Sequence, residues 1–247
     1  MCVPAKLMKL QRPTCKWNIR DVCFVMLIVY GPILTAGQLA PPRSEEGVVF
    51  AIFWVCVTLL PIFVPIVWAC RFCNAKPRDL GLTKGKWNIG TILGVGVATG
   101  IASACVALIA RGESVDLRKT FMGICGMFIV MPTSATYLGV YMENFVLAPV
   151  GEEILCRGFL YPFFSSKTGV GPAIVLQSTT WVLLHMCPYV LTFLIHGTVS
   201  EFHWARYAEI FIGGIMLGVL CQSSRSLYPA MICHSIYSQI MTSCFYT

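Results

Sequence analysis

Apolar residues run along this chain in long stretches, separated by short connectors that are basic, polar or rich in Pro and Gly. A helix needs about 20 mostly apolar residues to cross a bilayer core. Stretches that meet or approach that length lie near 22–40, 47–70, 88–110, 120–141, 144–164, 171–195, 207–222 and 227–245. The stretch 171–195 reads either as one long tilted helix or as a helix ending at Pro188 followed by a re-entrant piece, so the pattern predicts seven or eight spans. No soluble domain, repeat or low-complexity linker interrupts it. Residues 1–247 read as one membrane-embedded domain, with N-terminal spans at 22–110 and core motifs at 148–238.

Composition agrees with the pattern. The chain is 57% hydrophobic and only 12% charged, with a mean hydropathy of +0.74; a soluble domain carries about 25% charged residues. The net charge of +7 is not the footprint of a nucleic-acid binder, because its basic residues cluster beside the spans. Lys6, Lys9, Arg12, Lys16 and Arg20 precede the first span, and Arg71, Lys76, Arg78, Lys84 and Lys86 follow the second, whereas the loop between those spans carries only Arg43. The positive-inside rule then puts the N-terminus and the 71–87 loop in the cytoplasm, against a weaker opposing signal from Arg111, Arg118 and Lys119. The first span lacks a small-residue cleavage signal and reads as a retained helix. The thirteen cysteines fall mostly in apolar runs, where they act as small soft hydrophobes, and imply no disulfide framework.

Against this background the run Ala148-Pro149-Val150-Gly151-Glu152-Glu153-Ile154-Leu155-Cys156-Arg157-Gly158 stands out. A charge near the centre of a membrane helix costs on the order of 2.5–3.5 kcal/mol on insertion scales, and such groups are kept where they face a cavity. On a helix Glu153 and Arg157 are four residues apart, acid before base, which favours an ion pair on one face. Glu152 points roughly 100° away from Glu153 and is free for a different task. Pro149 and Gly151 are also compatible with a helix that begins here, in which case the carboxylates would cap its first turn. Downstream, His185 ends the run Trp181-Val182-Leu183-Leu184-His185, and His234 lies in Pro229-Ala230-Met231-Ile232-Cys233-His234 with Ser238 one turn later. His196 and His203 sit beside Glu201 in a polar loop and read as solvated. Three separate helices thus each offer a catalytic type of group, and the fold class predicted is an all-α, multi-pass transmembrane bundle with an intramembrane polar cavity.

Glu, His, His and a water can make two machines. In a metal-free hydrolase, Glu152 takes a proton from water while the histidines orient that water and stabilise the oxyanion. In the other, Glu152, His185 and His234 hold a divalent metal such as zinc with a bound water. HExxH, the signature of many zinc proteases, is absent.

In these residues the chain resembles the CPBP intramembrane proteases, which include the type II CAAX prenyl endopeptidases and the Abi-like bacteriocin-processing or immunity proteins. Glu152-Glu153 with Arg157 is similar to their EExxxR motif, and Trp181 with His185 to their FxxxH motif, with Trp in place of Phe. Phe211 to Gly218 followed by Tyr228-Pro229-Ala230 and His234 resembles their glycine-rich helix and final histidine motif, and Asp79-Leu80-Gly81-Leu82 a short loop often found upstream. The resemblance implies an all-helical membrane fold with a conical cavity open to one side. It implies Glu152 as the base, Glu153 and Arg157 as its supports, and His185 and His234 as ligands of water or the tetrahedral intermediate. It implies membrane lipid and a lipidated or membrane-associated peptide or protein as partners, no nucleic acid, and no obligatory cofactor.

One position departs from the pattern. Four residues after the last histidine the family usually has Asn or Asp, and here stands Ser238. A serine hydroxyl is a shorter donor than an asparagine amide, and losing one oxyanion donor typically costs about 10²–10³ in rate. The first reading is therefore an intramembrane endopeptidase acting on a membrane-anchored, prenylated CAAX-type substrate. The second, favoured by Ser238, is a non-catalytic immunity or scaffold protein of the same family; in either case Gly90, Gly94 and Gly96 on one span and Gly213, Gly214 and Gly218 on another support helix packing. The default location is the bacterial plasma membrane, with the endoplasmic reticulum as the alternative.

Overall fold

The computed structural model describes residues 15–39, 48–112, 143–197 and 204–245. Every extended element among them is helical and none is a strand. The helices are α1 (Ile19–Leu39), α2 (Val48–Val67), α3 (Ile89–Ala110), α4 (143–168, a run of consecutive helical pieces), α5 (Val170–His196), α6 (Trp204–Ser224) and α7 (Tyr228–Phe245). The span read at 120–141 lies outside the described residues.

The 171–195 stretch is one helix. α5 continues through Pro188 and stops only at Gly197, whose left-handed backbone (φ 67°) caps it. Its final turn closes through the Gly197 N–H, which donates to Phe193 O at 2.8 Å. His196 is exposed as its last residue, while His203 is outside the described residues. The start of α3 is set by Asn88, whose side chain accepts the Thr91 N–H at 2.8 Å.

Among the described residues, α3, α5 and α6 are long and apolar enough to cross a membrane. Their outer faces carry exposed large hydrophobics, including Leu93, Val106, Leu183, Phe193, Ile212 and Val219, a surface suited to lipid rather than water. α7 does not reach that apolarity because it does not meet lipid along most of its length. Ala230, Met231, Cys233, His234, Ser235, Ile236, Gln239 and Ile240 are all buried, and the helix packs against α3, α4 and α6. Shielded by its neighbours, α7 can carry the polar groups that a lipid-facing helix cannot.

Helix α3 approaches α7 at Gly96 and Gly100. A Cβ on Gly100 would stand 2.7 Å from Cys233 O, and one on Gly96 2.9 Å from Ile232 Cβ. This seam fixes the height of α7 beside His234. Gly94 and Gly213 have nothing within 4 Å of a built Cβ, and Gly90 only the Asn88 side chain at 3.4 Å. The packing expected at those three positions is therefore absent among the described residues, and on α3 Gly100 takes the part assigned to Gly90 and Gly94. The spacing explains it: residues 96 and 100 share a face by i, i+4, whereas 90 and 94 lie on another.

The described cysteines are free thiols, Cys70 and Cys73 included. The segment before α1 is tied to the bundle by Trp17, stacked on Phe159 with ring centroids 4.8 Å apart, its indole N–H donating to Phe159 O at 2.9 Å. The loop before α3 wedges between α4 and α7. Leu80 is fully buried, and Gly81 O accepts the Leu227 N–H at 3.0 Å. Asp79 holds this loop by accepting from the Lys76 N–H at 2.8 Å and from Lys16 Nζ at 3.0 Å. Partial burial pushes its carboxyl up, but the Lys76 N–H and the Lys16 ammonium outweigh it and hold the group below its ordinary value of 3.8. A carboxyl depressed in the folded state contributes stability above its unfolded value and loses it as pH falls through the folded one. Thermal melts are therefore expected to fall on acidification below about pH 3.8, and to fall less in Asp79→Asn; identical pH profiles would contradict this. The effect is small, because the pair is partly exposed.

Candidate active site

The two carboxylates lie inside α4, not at its start. The helix already runs through Glu143–Leu147, Pro149 sits early in the piece Ala148–Glu153, and the chain continues helically through Ile154–Leu160 and Tyr161–Thr168. The alternative of an acidic cap thus gives way to carboxylates in mid-helix. From Ile154 to Leu160 the helix widens to π-type turns, with the Tyr161 N–H donating to Cys156 O. Such widened turns are uncommon and frequently mark functional sites.

The widened turn is entirely buried. Glu153 and Arg157 form the expected i, i+4 pair at 3.0 Å, both side chains having no solvent exposure. Arg157 also donates to Gly214 O at 3.3 Å and lies over the Trp181 ring, its Cζ 4.3 Å from the centroid. Glu152 faces a different way, with 22% of its side chain exposed. Its Oε2 accepts the Trp181 indole N–H at 2.6 Å and stands 4.0 Å from His234 Nε2, too far for a direct hydrogen bond.

The histidines come from α5 and α7, and the bonds at Nδ1 define their tautomers. His185 Nδ1 is 2.9 Å from Trp181 O. A carbonyl only accepts, so Nδ1 carries the hydrogen and Nε2 of the neutral ring has a free lone pair. His234 Nδ1 is 3.1 Å from Glu153 Oε1. The carboxylate paired with Arg157 is an acceptor, so His234 donates from Nδ1 and turns Nε2 toward Glu152. Both rings meet the Trp181 indole edge-on at a centroid distance of 5.4 Å.

The structure therefore gathers Glu152, Glu153, Arg157, His185 and His234 around one indole. Ser238, one turn beyond His234, is half-buried. Among the described residues, no three His, Cys, Asp or Glu side chains are grouped as a metal-binding set. The orientation of each imidazole through Nδ1 onto a carboxylate or carbonyl would nonetheless suit a ligand histidine.

Gln177 escapes motif reading, and Trp181 and Gly214 do more than their motifs imply. Trp181 touches all four of Glu152, Arg157, His185 and His234. Gln177, fully buried, donates to Gly214 O at 3.0 Å, the carbonyl that also receives Arg157. The signal was present in α5, where Gln177, Trp181 and His185 recur at four-residue intervals on one face. Gly214 itself supplies that carbonyl at close range. A Cβ there would stand 2.9 Å from Ser178 Cβ and 3.1 Å from Trp181 Cε3. Gly214→Ala is expected to push α6 from α5, destabilising the protein by about 1–3 kcal/mol; an unchanged melting temperature would contradict the close approach.

Residues 132–240 match the family model described as type II CAAX prenyl endopeptidase Rce1-like. The matched span contains every one of these site residues. That family is a protease family. No curated protein and no solved structure matches the chain.

Proposed function

We propose that this helical membrane protein is an intramembrane endopeptidase that hydrolyses a peptide bond near the C-terminus of a membrane-anchored, prenylated CAAX-type substrate. The observation that carries the reading is the division of labour between adjacent carboxylates. Glu153 is buried and neutralised by Arg157, whereas Glu152 keeps an exposed edge and faces a histidine Nε2.

In this reading a polar cavity opens at Glu152. The Glu152 carboxylate takes one proton from a water, and the resulting hydroxide oxygen bonds to the scissile carbonyl carbon. The His185 and His234 Nε2 lone pairs accept from the water and so orient it, and an imidazole that has taken up a proton from solvent donates to the oxyanion. Collapse of the tetrahedral intermediate breaks the C–N bond, and the Glu152 carboxyl returns its proton to the leaving amine. If a divalent metal takes part, Glu152, His185 and His234 are the residues that would hold it, and the metal would supply polarisation of the carbonyl.

The test is release of the C-terminal tripeptide from a fluorogenic farnesylated CAAX peptide by the purified protein in liposomes, with and without a chelator. Cleavage at that bond supports the proposal, and resistance to the chelator favours the metal-free route. An inert protein that still functions in cells as Glu152→Gln supports the second reading, a non-catalytic immunity or scaffold protein. Ser238 is what favours that reading, since it stands where the family usually places an amide or carboxyl group.

A further inference from the structure

We infer that Trp181 is a positioning residue that selects which oxygen of Glu152 does the chemistry, a role that rests on the proteolytic reading above. Its indole N–H donates to Glu152 Oε2 at 2.6 Å. That bond occupies Oε2 and leaves Oε1 to receive the proton of the attacking water. The family pattern has Phe at this position, and a phenyl ring carries no donor. The Trp in this chain therefore adds a bond to the base that the family's usual residue cannot make.

The indole itself is held from every side. It is buried at 5% exposure, with Arg157 on its face at 4.3 Å, a histidine on each of two edge contacts at 5.4 Å and the Gly214 backbone close behind it. A ring fixed by four neighbours is a rigid donor, and a rigid donor restricts the rotation of the Glu152 carboxylate. The guanidinium of Arg157 completes the arrangement. It neutralises Glu153 and also sits over the ring whose N–H points at Glu152, so both carboxylates are oriented from one cation. A departure at 181 accompanies the departure at Ser238.

The experiment compares the wild type with Trp181→Phe, which removes the N–H donor together with part of the buried ring. In the peptide assay, kcat is expected to fall about 10- to 100-fold, the effect of one hydrogen bond to a charged group, with KM unchanged and the melting temperature lowered only by the lost packing. Wild-type kcat in Trp181→Phe, or a loss confined to KM or to stability, would overturn the role. A second readout does not depend on activity. The chain has six tryptophans, so the wild-type minus Trp181→Phe ultraviolet resonance Raman difference isolates this indole. It is expected to show a strongly hydrogen-bonded N–H that reverts to a free one when the same difference is taken in a Glu152→Ala background. A free N–H in the wild type would overturn the contact. Equal cleavage by wild type and Glu152→Ala would overturn proteolysis by Glu152 and the catalytic consequence with it, while the Raman difference would still decide the contact.

Discussion

Glu152→Ala is expected to reduce peptide cleavage by about 10²–10⁴-fold, the range of a positioned general base, in a protein that remains inserted and folded. Folding should survive because Glu152 is not the partner that balances the buried cation. Arg157 is paired with Glu153 at 3.0 Å and is not paired with Glu152. What the substitution leaves behind is one indole N–H without its acceptor, a cost of about 1–3 kcal/mol. Peptide cleavage and the thermal melt, measured on the same preparation, separate the two effects. Cleavage equal to wild type would sink the assignment of the base. An inactive variant that has also lost its melting transition would show that Glu152 is structural.

Arg157→Met is expected to have the larger effect on stability, on the order of 3–5 kcal/mol, the range for breaking a buried ion pair by removing one member. Glu153 would keep only the His234 Nδ1 bond at 3.1 Å, with no solvent exposure. The Gly214 carbonyl would keep Gln177 as its donor, and Trp181 would lose the cation on its face. The pair is not ideal even in the wild type. Among the described residues, Glu153 Oε2 and Arg157 Nε have no hydrogen-bond partner, so its desolvation is incompletely offset. The double variant Glu153→Gln/Arg157→Met, which removes both charges, is therefore expected to be more stable than Arg157→Met alone. It should remain poorly active, since His234 would lose the carboxylate that orients it. Denaturation of the three proteins in one detergent measures this, and a double variant no more stable than the single would refute the charge argument.

The parts of this protein that were legible in the sequence are those governed by local spacing and by the solvent. Long apolar runs forecast helices because a backbone in lipid must satisfy its own hydrogen bonds. The runs read at 22–40, 88–110 and 207–222 correspond to α1, α3 and α6. The interval from Glu153 to Arg157 forecast their ion pair because helix geometry alone brings i and i+4 together. The four-residue interval from Trp181 to His185 puts them on one helix face by the same geometry, and their rings meet there.

What spacing could not say was how separate helices meet. The α4, α5 and α7 runs each contain polar groups, but nothing local puts the Trp181 indole on Glu152 or His234 on Glu153, across 29 and 81 residues of chain. Nor could it separate glycines that pack from those that face outward. Gly100 and Gly214 prove to be points of close approach, while Gly94 and Gly213 meet nothing. Pro188 was ambiguous for the same reason, since the continuation of α5 beyond it depends on context that one helix does not contain. By itself the sequence determined an all-helical membrane protein, the ion pair and the identity of the polar groups, because hydrophobicity and helical periodicity act over a few residues. Only the tertiary structure decided which tautomer each histidine adopts and that one indole joins them. Those outcomes depend on contacts between helices far apart in the chain.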